Sequence, residues 1–191
     1  SIVILPPEGR VSEVQRRQMT TVDEANVHNV AVDGTFDDCQ AMVKAMFNDL
    51  PFRDALNLAA VNSINWARIL AQTIYYAYAA LALGSPARPV TFAVPTGNFG
   101  NVYSGYVAAR LGLPIRHLLV ATNANDILAR FFASAGYYKN DVIASISPSM
   151  DIQIASNFER LLFELYGRDG AAVRALIGRL DQGGGFDVAA D

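Results

Sequence analysis

The stretch VTFAVPTGNFGNVYSGYVAARLG, residues 90–112, joins an apolar run to an amphipathic segment through a turn of small polar residues. The pattern predicts a buried strand, a tight connection and a helix. Gly97 and Gly100 let the backbone approach a ligand closely, and Thr96 and Asn98 offer side-chain donors. A helix that starts after the turn adds free N–H groups and a positive dipole end, which together favour an anion, most naturally a phosphate. The turn also follows the carboxyl end of a strand, where open α/β sheets bind ligands. A plain connection with Asn and Gly chosen for their backbone habits explains the same residues. On the residues alone both readings stay open. Two common phosphate loops are excluded, because no Lys-Ser/Thr pair follows and the spacing is G-x-x-G. The next strand ends in Ala121-Thr122-Asn123, with no carboxylate for a ribose.

Working outward, Ile2 to Leu5 reads as a buried strand and Ser12 as the cap of a short helix. Val27 to Val32 is a second β-branched run, followed by the turn Asp33-Gly34. Thr35 then caps an amphipathic helix whose apolar stripe is Cys39, Met42, Val43 and Met46, and Pro51 is expected to stop it. The longest helix is expected over residues 63–83. After the quoted segment come the strand IRHLLVATN, a helix capped by Asn125 or Asp126, and an irregular stretch. Two helices follow, beginning near Asn157 and Gly170, and then the flexible tail GGGFDVAAD. Strands apolar on both faces that alternate with helices predict an α/β fold, a parallel sheet with helices on both faces. Four strand candidates are too few for a complete doubly wound domain of this length. The best domain boundary falls between Pro51 and Asn65.

The 191 residues are 52% hydrophobic and 17% charged, enough apolar material for a sizeable core. A net charge of −3 with no Lys/Arg block argues against a nucleic-acid partner or an anionic membrane surface. No apolar run reaches the ~20 residues of a spanning helix. One cysteine and two separated histidines give neither a disulfide framework nor a metal-ligand cluster. A cytoplasmic, reducing setting is expected. The chain opens inside a strand without methionine and closes on a flexible stretch, so it is expected to be an internal piece of a longer protein.

Other candidates for chemistry have plainer explanations. Asn62, Ser63 and Asn65 crowd the start of a long helix, where one of them serves as cap; together they suggest a polar wall at a lobe boundary. Asp33, Asp37 and Asp38 suit a turn and a helix first turn. His28 and His117 read as core or surface histidines, and Cys39 as core. The run Ser147-Pro148-Ser149-Met150-Asp151 has no histidine nearby to make a hydrolase triad.

Five segments occur in order: DGTFDDCQAMVKAMF, NSINWARILAQTIYY, VPTGNFGN, VATNANDILARFF and SPSMDIQIASNFERLLFEL. This series resembles the threonine synthase family, pyridoxal-phosphate enzymes of the tryptophan-synthase-like fold (fold type II), over nearly the whole chain up to about Leu165. The resemblance implies a carbon–oxygen lyase of threonine biosynthesis acting on phosphate. Its family makes L-threonine and phosphate from O-phospho-L-homoserine and water, with pyridoxal 5′-phosphate as electron sink. It implies that residues 1–60 are the C-terminal part of a small lobe and residues 61–191 the first part of the large, cofactor-binding lobe. Gly97, Asn98 and Phe99 match the family's loop for the cofactor 5′-phosphate, and Asn101 stands where other members often carry Asp.

The family's Schiff-base lysine lies in a segment of the type GPT-x-x-FKD, and its substrate-carboxylate loop is of the type SGDTG. Neither occurs here, and Lys44 and Lys139, the only lysines, stand in other contexts. The expectation is therefore no catalytic residue in this chain and no activity on its own. Apolar surface left without its cover predicts self-association. A noncatalytic phosphate- or cofactor-binding module of the same fold, or another enzyme of the fold such as a dehydratase, are the alternatives.

Overall fold

The computed structural model describes residues 1–61 and 63–188. Asn62 lies outside the described residues, as does the side chain of Asp37. The chain forms two compact units, Ser1–Ala59 and a second beginning at Ala60.

In the first unit β1 (Ile2–Ile4) pairs in parallel with β2 (Val27–Asn29), and Pro7 bridges to Val32 farther along. The connecting helix α1 (Glu13–Thr20) opens with a capping box. Ser12 Oγ accepts from the Gln15 N–H, and the Gln15 side chain accepts from the Ser12 N–H. Helix α2 (Phe36–Asn48) uses the same device with Thr35 and Asp38, so Asp38 serves a cap. Cys39 is buried on α2, while Met42 on the expected apolar stripe is 45% exposed.

Two expectations fail in this unit. Pro51 does not end helical structure but sits in the first turn of a further helix, α3 (Leu50–Leu56), capped by the Asp49 carboxylate. Proline is tolerated there because the first-turn N–H groups have no intrahelical partner. The run at Ile2 to Leu5, expected to be buried, leaves Ile2 54% and Val3 58% exposed. Among the described residues β1 pairs only with β2, and a two-stranded sheet covers little of itself.

The second unit is built on a right-sized βαβ motif. Strand β3 (Val90–Pro95) runs parallel to β4 (Ile115–Ala121), with Val94 opposite Val120 and Pro95 opposite Ala121. Their crossover is α5 (Gly100–Arg110), and α4 (Trp66–Ala82) packs along it. Gly105 shows how close this packing is: a Cβ there would lie 2.8 Å from both the Tyr76 ring and Leu118. Helix α6 (Ile127–Ser134) follows β4.

Helices α7 (Phe158–Leu165) and α8 (Gly170–Asp181) close the core. Phe158, almost fully buried, gathers the rings of Phe131, Tyr137 and Phe99 at centroid distances of 4.6, 5.0 and 5.4 Å. Burial of one such ring contributes about 2–3 kcal/mol. Within the tail expected to be flexible, residues 185–187 form a strand instead. Strand β6 (Gly185–Asp187) pairs antiparallel with β5 (Gly136–Tyr138), and Phe186 stacks on Tyr137 at 5.3 Å. Both strands are three residues long and glycine-rich, and their stability comes from a partner about fifty residues away. The architecture is α/β, with two parallel strand pairs and one antiparallel pair among the described residues.

Candidate functional site

The turn between β3 and α5 is held by its own side chains. Thr96 is buried and its hydroxyl donates to the Val94 carbonyl at 2.6 Å, so it is turned away from any ligand. The Thr96 N–H continues the sheet to the Ala121 carbonyl at 2.7 Å. The Asn98 side chain is also engaged, donating to Ser63 Oγ and accepting from the Ser156 N–H. The Asn98 carbonyl accepts from both the main chain and the side chain of Asn157, at 3.3 and 3.2 Å. The Thr96 hydroxyl is thus spent on the main chain, and the Asn98 amide is held by the scaffold through both its oxygen and its nitrogen.

Phe99 adopts φ 64°, in the left-handed region. For a residue with a Cβ this costs about 1–2 kcal/mol. Its ring is 2% exposed, set edge-on to Phe158 and stacked on Phe132, and that burial offsets the strain. The left-handed residue sits at the cap position of α5, where it makes no side-chain cap bond. Among the described residues, no acceptor lies within hydrogen-bond reach of the N–H groups of Gly97, Asn98, Phe99, Gly100 and Asn101. A run of such N–H groups at a helix start is an anion-binding arrangement.

These residues line a hollow of about 160 Å³ together with Ser63, Gln72 and Pro95. No charged side chain lines it. Its volume is below the ~300 Å³ of a small-molecule pocket. It therefore suits one end of a ligand, such as a phosphate group. A larger hollow of about 380 Å³ lies at the carboxyl ends of α4 and α5. Ala77, Leu81, Leu111 and Pro114 give it an apolar wall without converging donors, so the chemistry belongs to the smaller one.

Around the turn, several residues lock the support. Asn157 has no exposed surface, and its amide also donates to the Ser63 carbonyl at 2.9 Å. Arg160 donates to Asn157 Oδ1 and, at 2.7 Å, to the Ile64 carbonyl, with its guanidinium 5.5 Å from the Trp66 ring centre. Tyr76 OH donates to the Asn101 carbonyl at 2.6 Å, and burial pushes that phenol up to about 12. On the far side, Asp151 accepts from Asn123, Asn125 and Ser145. Burial opposes its charge, but the hydrogen bonds from Ser145 and Asn123 outweigh it and hold the carboxyl below its ordinary range.

The four turn residues named from the sequence, Gly97, Asn98, Phe99 and Asn101, all line the hollow. Ser63 joins them as the acceptor for Asn98, while Asn65 caps α4 by accepting from the Ala67 N–H at 2.8 Å. Asn62 lies outside the described residues. His28 and His117 are exposed on strands, Lys44 is exposed on α2, and Lys139 is exposed in the loop after β5. Asn157 and Arg160 escaped sequence reasoning, and Asp151 entered it only as part of a hydrolase triad. Asn157 and Arg160 contact residues 59–96 positions away, and no local pattern reports such a distance. Among the described residues no group of three metal-ligating side chains forms, and no helix is long and apolar enough to cross a membrane.

No protein-family model matches the chain. It is 57% identical to threonine synthase of Pseudomonas aeruginosa over 187 residues, which is 98% of this chain and 40% of that protein. It is 54% identical to threonine synthase of Saccharomyces cerevisiae over 168 residues, covering 86% of this chain and 33% of that one. The crystal structure of pyridoxal-phosphate-bound threonine synthase from Brucella melitensis superposes with a TM-score of 0.85 at 60% identity. It covers 99% of this chain and 41% of the other.

The chain belongs to the threonine synthase family.

It spans about 40% of the length of the curated relatives it matches. The yeast threonine synthase structure agrees at a TM-score of 0.81 and the Escherichia coli one at 0.79, the latter at 38% identity and 40% coverage of that chain. These matches lend no support to the dehydratase alternative.

Proposed function

We propose that this chain holds the 5′-phosphate of pyridoxal phosphate through the main chain of residues 97–101, as part of an enzyme that makes L-threonine and phosphate from O-phospho-L-homoserine and water. The observation that carries this reading is the run of N–H groups without a described acceptor around a phosphate-sized hollow at the start of α5. When bound, the cofactor supplies an electron sink. The chain's own residues bind and orient. Gly97, Asn98, Phe99 and Asn101 contribute N–H groups, the α5 dipole adds positive potential, and Ser63 and Asn157 keep Asn98 in place.

In this reading residues 1–60 are the end of the small lobe and residues 61–191 the start of the large one. Asn101 in place of Asp leaves one negative charge fewer beside the phosphate. Among the described residues no acid or base lines the hollow, Lys44 is exposed on α2 and Lys139 in the loop after β5, and in this reading the chain by itself carries out no turnover. The lone buried thiol fits a reducing, cytoplasmic setting. The partner is the small-molecule substrate, not nucleic acid or membrane, and the exposed apolar face of α4 makes the isolated chain self-associate.

Incubation with pyridoxal phosphate and O-phosphohomoserine, followed by amino-acid analysis, tests the binding-only role. No threonine is expected; threonine formed with a borohydride-reducible adduct on Lys44 or Lys139 would overturn it.

A further inference from the structure

The turn rests on a wall formed by residues 148–157, and the contact is tight at one point. A Cβ on Gly97 would lie 3.1 Å from the Ser149 carbonyl oxygen and 3.1 Å from the Met150 Cα, both main-chain atoms. The next residue after Met150 is Asp151. Its Oδ1 accepts from Asn123 Nδ2 at 2.7 Å, Ser145 Oγ at 2.6 Å and Asn125 Nδ2 at 3.1 Å, and its Oδ2 accepts from the Ser145 N–H at 2.8 Å. Asn123 and Asn125 follow directly on β4, the strand paired with β3. Asn125 also grips Ile143 through both its amide oxygen and its amide nitrogen, each at 2.8 Å.

We infer that Asp151 is a positioning residue for the anion-binding turn. By collecting two donors from Asn123 and Asn125 after β4 and two from Ser145, its carboxylate holds the 148–150 turn against Gly97 and keeps the N–H groups of residues 97–101 facing the hollow. Only an ionised carboxylate satisfies all four donors, because an amide presents its own N–H to one of them. Loss of the carboxylate frees the wall, and with it the Ser156 and Asn157 N–H groups that donate to Asn98. The functional sense of the clamp rests on the phosphate role proposed for the turn, but the clamp itself can be read without a ligand.

The test is amide hydrogen exchange on the whole chain, followed by titration with inorganic phosphate. In Asp151→Ala, exchange at Ser156 and Asn157 should rise about tenfold or more, the scale of a lost hydrogen bond to a charged group. In Asp151→Asn the rise should be smaller, while amides of Leu176 and Leu180 in α8 stay unchanged. If Asp151→Ala does not fold, Ser145→Ala, which removes one hydroxyl donor, carries the test with a smaller local rise. Unchanged exchange at Ser156 and Asn157, or equal acceleration in α8, overturns the inference. Phosphate affinity should fall in the same order, Ala below Asn below the unaltered chain. A local exchange response in a chain that binds no phosphate upholds the clamp and overturns the phosphate role.

Discussion

The side-chain amide of Asn157 bridges the main-chain carbonyls of Ser63 and Asn98, at 2.9 and 3.2 Å, without any exposed surface of its own. One buried side chain thus ties the start of α4 and the β3–α5 turn to the start of α7. Thr96 and Asn98 hold the turn from within, and Asn157 grips it from outside.

Asn157→Ala should therefore destabilise the second unit by about 2 kcal/mol, because it removes a donor from two half-buried carbonyls and an acceptor from Arg160. Urea unfolding followed through Trp66, the single tryptophan, measures this. A loss below about 1 kcal/mol would mean that the bridge is replaceable.

Two glycines should separate binding from stability. Gly97→Ala presses on main-chain atoms of the wall and should weaken phosphate binding roughly tenfold, about 1.4 kcal/mol, with little effect on unfolding. Gly105→Ala instead drives a methyl group into Tyr76 and Leu118 and should cost about 1–3 kcal/mol of stability, with a smaller loss of affinity than Gly97→Ala because Tyr76 reaches the turn only through the Asn101 carbonyl. Calorimetric titration and urea unfolding of the same two variants supply both readouts.

The buried phenols set an alkaline limit. Burial raises Tyr76 to about 12, and burial raises Tyr137 to about 12 against a hydrogen bond from the Ala155 N–H, which lowers it. A phenol with a raised folded value binds its proton more tightly in the folded state. Its stabilisation is whole below the ordinary value near 10 and is lost as pH climbs towards the folded value. Tyrosinate absorbance should show two of the eight tyrosines ionising only as circular dichroism reports unfolding. Full ionisation in a still-folded chain would contradict the burial.

Ile74, Tyr75, Tyr78 and Leu81 on α4 are 62–77% exposed. Such a patch favours association, so sedimentation at ~100 μM should show species heavier than one chain, and Ile74→Lys with Tyr78→Lys should shift them towards monomer. A monomer in the unaltered chain at that concentration counts against it.

What the sequence made legible were the local features. The capping residues Ser12 and Thr35, the strand–turn–helix around Gly97 and the helices after Asn157 all follow from patterns within a few residues. Helix α3 was hidden by Pro51, which reads as a stop but also suits a first turn. Strands β5 and β6 were hidden because three residues show no period, and contacts distant in sequence fix them: Tyr137 stacks on Phe186 and Phe158, and Tyr138 OH donates to Asp187. At the turn, the sequence pointed to Thr96 and Asn98 as donors to a ligand. The folded chain instead engages both side chains in its own scaffold and turns the main-chain N–H groups of the turn to the hollow.

The most direct test of the phosphate role is calorimetric titration of the chain with pyridoxamine 5′-phosphate and, separately, with pyridoxamine, neither of which has the aldehyde that labels lysines indiscriminately. Binding of the phosphorylated compound, weakened by Gly97→Ala and competed by inorganic phosphate, with no binding of the other, is the expected result. Equal binding of the two, or none by the phosphorylated one, would contradict it.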